Sequence, residues 1–318
     1  MSAPKPPRRW RAPRNKNDLQ AEVAELQAQV RAAREQFDEA QERINARTGR
    51  NLLFAVVVGL VLGFAMIFSL IYLKALFLIV AGVLVGFGAA ELAGALRYAG
   101  RDVPRTASVI ASVGALPVAY WIPGAQWPAL LGAIAFVSVW RLVEVAVSRN
   151  RPDARELLRD LGAGTFIQLY LTLLASCAVV LTAGEDGQWW TMSFLVVVVA
   201  IDIGAYGSGL AFGKHQMAPK ISPKKTWEGF AGSVVAAILA AVPMSVFLLH
   251  LPWYFGILFG LVIVATATMG DLTESLIKRD LGIKDISSLL PGHGGFLDRL
   301  DSILPSAAAA LALYLVFG

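Results

Sequence analysis

Between two of the most apolar segments of this 318-residue chain lies SLIKRDLGIKDISSLLPGHGGFLDRLDS, residues 275–302, which mixes lysines, arginines and aspartates with a histidine and a Gly-Gly pair. Asp271, Glu274, Ser275 and Lys278 stand at i, i+3, i+4 and i+7, so a helix continuing through them carries all four on one face. At the far end, Asp298 and Asp301 are three residues apart and face one point if that threshold is helical. Carboxylates held beside ammonium and guanidinium groups suit the chemistry of a nucleoside triphosphate. Mg2+ is typically bound by one or two carboxylates plus substrate phosphates and water, and a pair of cations can stabilise both the attacking and departing oxygens of an in-line displacement. Asp271, Asp298 and Asp301 are the candidate metal ligands, with Lys278, Arg279 and Arg299 to neutralise phosphates. Gly292, Gly294 and Gly295 let backbone approach a ligand. His293 reads equally as a proton carrier, a phosphate donor or a packed loop residue. The competing account is a solvated connector whose charges cancel. It explains the charges, but not carboxylates at both ends of the segment with glycines between.

A second stretch, DIGAYGSGLAFGKHQMAPKISPKKTWEGFAG, runs from Asp202 to Gly232. Asp202 sits in an apolar run, where an ionisable group needs a partner or a function. Gly204, Gly207, Gly209 and Gly213 free the backbone for tight approach. Lys224, Lys225 and Thr226 then follow a proline ahead of the next apolar run, so two ammonium groups and amide N–H groups near a helix start make an anion pocket. A topology signal is the plainer reading of a Lys-Lys-Thr loop. The glycines and the intramembrane aspartate favour the functional one.

The elements that must position these residues are membrane helices. The chain is 56% hydrophobic and 16% charged, outside the range of soluble domains. A span needs about 20 mostly apolar residues, and apolar runs at 52–73, 75–96, 106–122, 128–145, 163–183, 189–209, 230–250, 254–271 and 303–317 predict about nine. No strand alternation of the barrel kind occurs, so the expected class is all-α and polytopic. With a cytoplasmic amino terminus and alternating spans, 27 of the 28 lysines and arginines fall on the cytoplasmic side, and only Lys74 falls outside. Cys177, the single cysteine, excludes an intramolecular disulfide and a multi-cysteine zinc site. Loops 97–105 and 146–162 read as positive-inside anchors, with Arg141 satisfied locally by Glu144. Glu91 has no local partner and is a weak site candidate.

Four regions are expected: a disordered basic tail (1–16), a cytoplasmic heptad helix (17–50), an N-terminal transmembrane region (52–200) and a catalytic transmembrane region (201–318). The first fifty residues hold no apolar core, so no cleavable signal peptide is expected. Leu19, Val23, Leu26, Val30, Ala33, Phe37, Ala40 and Ile44 form an unbroken a/d seam. It serves a homodimer, contact with another face of the protein, or an amphipathic helix lying on the membrane.

Residues 275–301 resemble the signature of the phosphatidate cytidylyltransferases, or CDP-diacylglycerol synthases, through Ser275, Lys278, Arg279, Lys284, Asp285, Pro291, His293, Gly294, Gly295, Asp298, Arg299 and Asp301. ISPKKTWEG is similar to the family's second marked stretch, through Ser222, Pro223, Lys224, Lys225, Thr226, Glu228 and Gly229. The resemblance implies reaction of CTP with phosphatidic acid to give CDP-diacylglycerol and pyrophosphate, with Mg2+, and with K+ beside it. It implies Asp271, Asp298 and Asp301 as metal ligands and places Asp271, Asp298, Lys278 and Arg279 in catalysis. It puts Ser222, Lys224, Lys225, Thr226, Lys284, His293 and Arg299 on the substrates. The partners are then CTP, phosphatidic acid from the inner leaflet and membrane lipids, with no nucleic acid. Residues 1–50 fall outside the family pattern. Three rivals stand beside it. A CTP-dependent polyprenol or lipid kinase would make a phospholipid and CDP instead. An anion transporter would couple through Asp202 and Glu91, though no paired inverted halves are visible. A membrane scaffold would act through the heptad helix.

Overall fold

A computed structural model describes residues 52–148, 152–283 and 295–318, with side chains from Val61 onward except Leu62. The basic tail and heptad helix expected over 1–50 lie outside the described residues, as do Lys284, Asp285, Pro291, His293 and Gly294. Residues Val58–Gly318 form one compact unit.

The described chain is helical throughout except for one hairpin. In order it runs α1 (Leu52–Tyr72), α2 (Lys74–Tyr98), α3 (Arg105–Trp121), α4 (Gln126–Val147), α5 (Ala154–Ala183), α6 (Gly187–Phe212), β1 (Gln216–Ala218) and β2 (Ser222–Thr226). Then come α7 (Trp227–Leu248), α8 (Trp253–Asp280), α9 (Leu297–Leu300) and α10 (Ile303–Phe317). Among the described residues seven helices are long and apolar enough to cross a membrane: α2, α4 to α8, and the run Leu297–Phe317 made by α9 and α10. The other two predicted spans are also helices. α1 has 21 residues, and α3 has 17, about 26 Å of rise against a hydrocarbon core of about 30 Å.

Small residues let α3 enter the bundle: apart from Leu116, its buried face is Ala107, Ser108, Ala111, Ser112, Ala115 and Ala119. Outward-facing positions are apolar instead. Phe64, Leu210 and Phe247 are each more than 70% exposed, which suits acyl chains rather than water. Two helices contain a π-helical turn, Gln168–Leu173 in α5 and Met244–Leu248 in α7. The antiparallel β1–β2 hairpin pairs Gln216 with Thr226 and Ala218 with Ser222. The all-α expectation did not include it. Pro219 and Pro223 disfavour a helix here: Pro219 opens the turn at 219–221, and Pro223 lies within β2.

The helix ends sort by chemistry. At one end Lys74 donates to the Gly184 carbonyl at 3.0 Å, and the Tyr314 hydroxyl donates to the Glu185 carbonyl at 2.9 Å. The other end carries the ion pairs. There Arg141 is not satisfied by Glu144 alone, as its spacing suggested. Its guanidinium lies 2.8 Å from Asp102 and 2.7 Å from Asp160, with Glu144 farther at 3.5 Å. Asp160 also accepts the Asp102 N–H at 2.9 Å. This arginine therefore ties the α2–α3 loop to α4 and α5.

Candidate active site

Helix length places the site at that charged end. α8 has 28 residues, about 42 Å of rise, so it outruns the hydrocarbon core by about 8 residues. Trp253 and Tyr254 open it, as interfacial anchors do, so its surplus is the last two turns, starting near Asp271. The expected face is real. Lys278 Nζ lies 3.2 Å from Glu274 Oε1 on the turn below, and Ser275 Oγ is 3.5 Å from Asp271 Oδ1.

Gly270 lets the threshold of the last span reach this face. A Cβ there would sit 2.8 Å from Pro305 Cγ, so only glycine admits the backbone around Asp301. As a result Lys278 Nζ also lies 2.8 Å from Asp298 Oδ1, while Asp298 Oδ2 accepts the Gly295 N–H at 3.2 Å. Asp301 is buried and accepts the Ser302 N–H at 2.6 Å. Glu274 is 1% exposed, with the Lys278 ammonium on its Oε1. Lysine 278 is the ammonium that holds this acidic group together.

The second marked stretch reaches the same place from the hairpin. Lys225 Nζ pairs with Asp271 Oδ2 at 2.5 Å. Thr226 Oγ1 accepts the Gly229 N–H at 3.1 Å and so caps α7. Glu228 accepts the backbone N–H groups of Lys214 and His215, and its Oε1 lies 2.6 Å from His215 Nδ1, which pins the strand-bearing loop to the helix. Behind them α6 and α7 cross closely: a Cβ on Gly204 would lie 2.6 Å from the Ala236 methyl.

These elements enclose a cavity of about 530 Å³. Its lining includes the polar residues Asp202, Ser222, Lys224, Lys225, Thr226, Asp271 and Ser302 and the apolar Ile201, Tyr206, Leu210 and Phe230. Tyr206 and Leu210 are also among the most exposed apolar residues of α6, so the cavity adjoins the lipid-facing surface. The lining offers charged groups for a headgroup and apolar surface for an acyl chain.

Not every predicted residue converges. Arg279, exposed at the end of α8, donates from Nε to the Ile221 carbonyl at 3.3 Å and braces the hairpin instead. Arg299 is exposed on α9, near enough for Asp202 to feel its charge. Lys224 is exposed on the cavity wall. Lys284 and His293 lie outside the described residues.

Two residues join the site without having been selected. Glu274 was on the right face, but nothing in its type marked it as more central than its neighbours. Tyr170 projects from the π-helical turn of α5. Its hydroxyl is buried without a hydrogen-bond partner, and the carboxyls of Glu274, Asp301 and Asp271 are close enough to act on it electrostatically. A tyrosine in an apolar run gives no signal of this, and a π turn leaves no period of its own. Among the described residues no three His, Cys, Asp or Glu side chains form a ready-made metal cage. Asp271 and Asp298 are instead each paired with a lysine.

Residues 54–317 match the family model described as "Cytidylyltransferase family". Several curated proteins are similar over most of their length. The phosphatidate cytidylyltransferase of Mycobacterium tuberculosis (strain ATCC 25618 / H37Rv) is 39% identical over 278 residues, 83% of this chain and 83% of that protein. That of Mycobacterium bovis is 39% identical over 278 residues, 83% of this chain and 89% of the relative. The Pseudomonas aeruginosa protein of the same name is 36% identical over 254 residues, 75% of this chain and 88% of its own.

Proposed function

The chain belongs to the cytidylyltransferase family, and we propose that it transfers the cytidylyl group of CTP to phosphatidic acid at the cytoplasmic mouth of the α6–α8 cavity. The products are CDP-diacylglycerol and pyrophosphate. The observation that carries this reading is the cavity's mixed lining: carboxylates and ammonium groups together with apolar residues that adjoin the lipid-facing surface.

The lipid phosphate is already anionic at neutral pH, so an oxygen of it attacks the α-phosphorus of CTP without a strong base. A new P–O bond forms there, the bond from that phosphorus to the β-phosphate oxygen breaks, and pyrophosphate leaves with the electron pair. The barrier is the approach of two anions, and positioned cations lower it. Lys224 and Thr226, which line the cavity, would bind phosphate oxygens. Lys225 and Lys278, now on Asp271 and Asp298, would turn to the phosphates when those carboxylates are otherwise engaged. Arg299 adds positive charge at the same end.

The site's residues fit a divalent cation. Every nearby acidic donor is a hard oxygen, and Glu274 Oε1 and Asp298 Oδ1 are buried and met by the Lys278 ammonium, at 3.2 and 2.8 Å. Mg2+ needs only one or two carboxylates when phosphates and water complete its shell, so no protein cage is required. Asp271, Asp298 and Asp301 would hold it. Bound there, Mg2+ supplies charge that offsets the repulsion between the two phosphates. The K+ implied by the resemblance enters the proposal as a second cation at this acidic end. Orientation belongs to the same reading: lysine and arginine placement sets this end toward the cytoplasm, where CTP is found. Pairing of two copies through the seam at 19–44 is the proposed assembly.

Label position tests the reaction. Purified protein with Mg2+ and phosphatidic acid should move label from α-labelled CTP, but not from γ-labelled CTP, into the lipid phase and release pyrophosphate. Label from the γ position in lipid, with CDP released, would establish the kinase reading instead.

A further inference from the structure

The turn that presents Asp298 and Asp301 is held from a helix outside the marked stretches. Residues 295–300 lie against one face of α2. Phe87 stacks on Phe296 with ring centroids 4.6 Å apart. Gly88, the next residue, lets the chain settle: a Cβ there would be 3.4 Å from Leu300 Cδ1. One turn on from Phe87, Glu91 accepts the Leu297 N–H through Oε2 at 3.0 Å. That N–H opens α9, the turn carrying Asp298, and a helix start leaves such donors without partners of their own.

Glu91 is an expensive residue for this duty. It is 3% exposed, its Oε1 has no hydrogen-bond partner, and it forms no ion pair among the described residues. An unpaired carboxylate inside a membrane bundle is seldom retained for packing. Nor can the segment slip away from it. A Cβ on Gly295 would lie 2.7 Å from Glu91 Oε2, so the bare glycine backbone is what lets the two meet. Resting on the cytidylyl-transfer reading above, we propose that Glu91 is a positioning residue: by fixing the Leu297 N–H it sets where the turn begins, and thereby where the Asp298 and Asp301 carboxylates point. It touches neither substrate.

The test compares Glu91→Ala with Glu91→Gln, since glutamine keeps an oxygen to accept the Leu297 N–H. Glu91→Ala should lower kcat about 10- to 100-fold, raise the Mg2+ needed for half-maximal activity, and leave KM for phosphatidic acid within about twofold, as loss of a residue that orients metal ligands does. Glu91→Gln should recover most of both. Mn2+ binding to detergent-purified protein, read by electron paramagnetic resonance, should weaken by about tenfold in Glu91→Ala and not in Glu91→Gln. Wild-type values in Glu91→Ala, or equal damage in both variants, would overturn the proposal. If Glu91→Ala does not accumulate, Gly295→Ala decides, because its methyl pushes on the same oxygen: a raised Mg2+ requirement supports the proposal and an unchanged one overturns it. A wild-type chain that makes no CDP-lipid would sink the transfer reading instead, and the Mn2+ comparison would still judge Glu91.

Discussion

Lys278 sits between two carboxylates that would otherwise repel each other, with side chains 16% exposed for the lysine, 1% for Glu274 and 18% for Asp298. Removing one member of a buried charge group costs about 3–5 kcal/mol, because the remaining charges stay uncompensated. Lys278→Met is therefore expected to lower the thermal midpoint sharply, and adding Glu274→Gln to it should recover much of the loss. A double variant no more stable than the single one would contradict the shared-ammonium account. Asp298→Asn should abolish cytidylyl transfer, by about 100-fold or more, in membranes that still contain the protein, and substantial residual turnover would refute its place in the metal set. Residue types and spacing made half of this legible. Asp271 and Lys278 fall on one helix face by arithmetic, but neither the Lys225–Asp271 pair nor the turning away of Arg279 can be read that way. Both depend on where the hairpin lands, which is set by contacts between residues tens of positions apart.

At the level of elements, hydrophobic runs gave the helices and their order, since a bilayer leaves the backbone little choice. They did not give the π turns or the hairpin, where the chain departs from a regular period for the sake of local packing. Glycines divide in the same way. Gly204 lies at the α6–α7 crossing, with the Gly232 carbonyl 2.8 Å from where its Cβ would be, whereas Gly207, three residues on, has open space around it. The account predicts that Gly204→Leu forces α6 from α7 and eliminates folded protein, as fluorescence-detected size exclusion would show. Gly207→Ala should run as wild type and keep its activity. Similar behaviour of the two variants would mean that this crossing does not position Asp202 and the hairpin.

Across the whole molecule, ion pairs and site gather at one end of the bundle and Lys74, Gly184 and Tyr314 at the other. Charge counting in the sequence predicted this polarity, because it is fixed by loop composition and not by packing. Cys177, the single cysteine, is buried, so it should not compete for label introduced elsewhere. A membrane-impermeant maleimide should then reach a cysteine at Lys220 only from the cytoplasmic side, and one at Glu185 only from outside. The reverse pattern would invert the topology and leave the site without access to CTP. The central claim is that the carboxylates at the inner ends of α8 and α9 hold the cation that brings two phosphates together. Anomalous scattering from crystals grown with Mn2+ and CTP tests it most directly. The account predicts a peak within coordinating distance of at least two of Asp271, Asp298 and Asp301, with Lys225 and Lys278 turned to the phosphates. A Mn2+ held by CTP alone, with both lysines still on their aspartates, would contradict it.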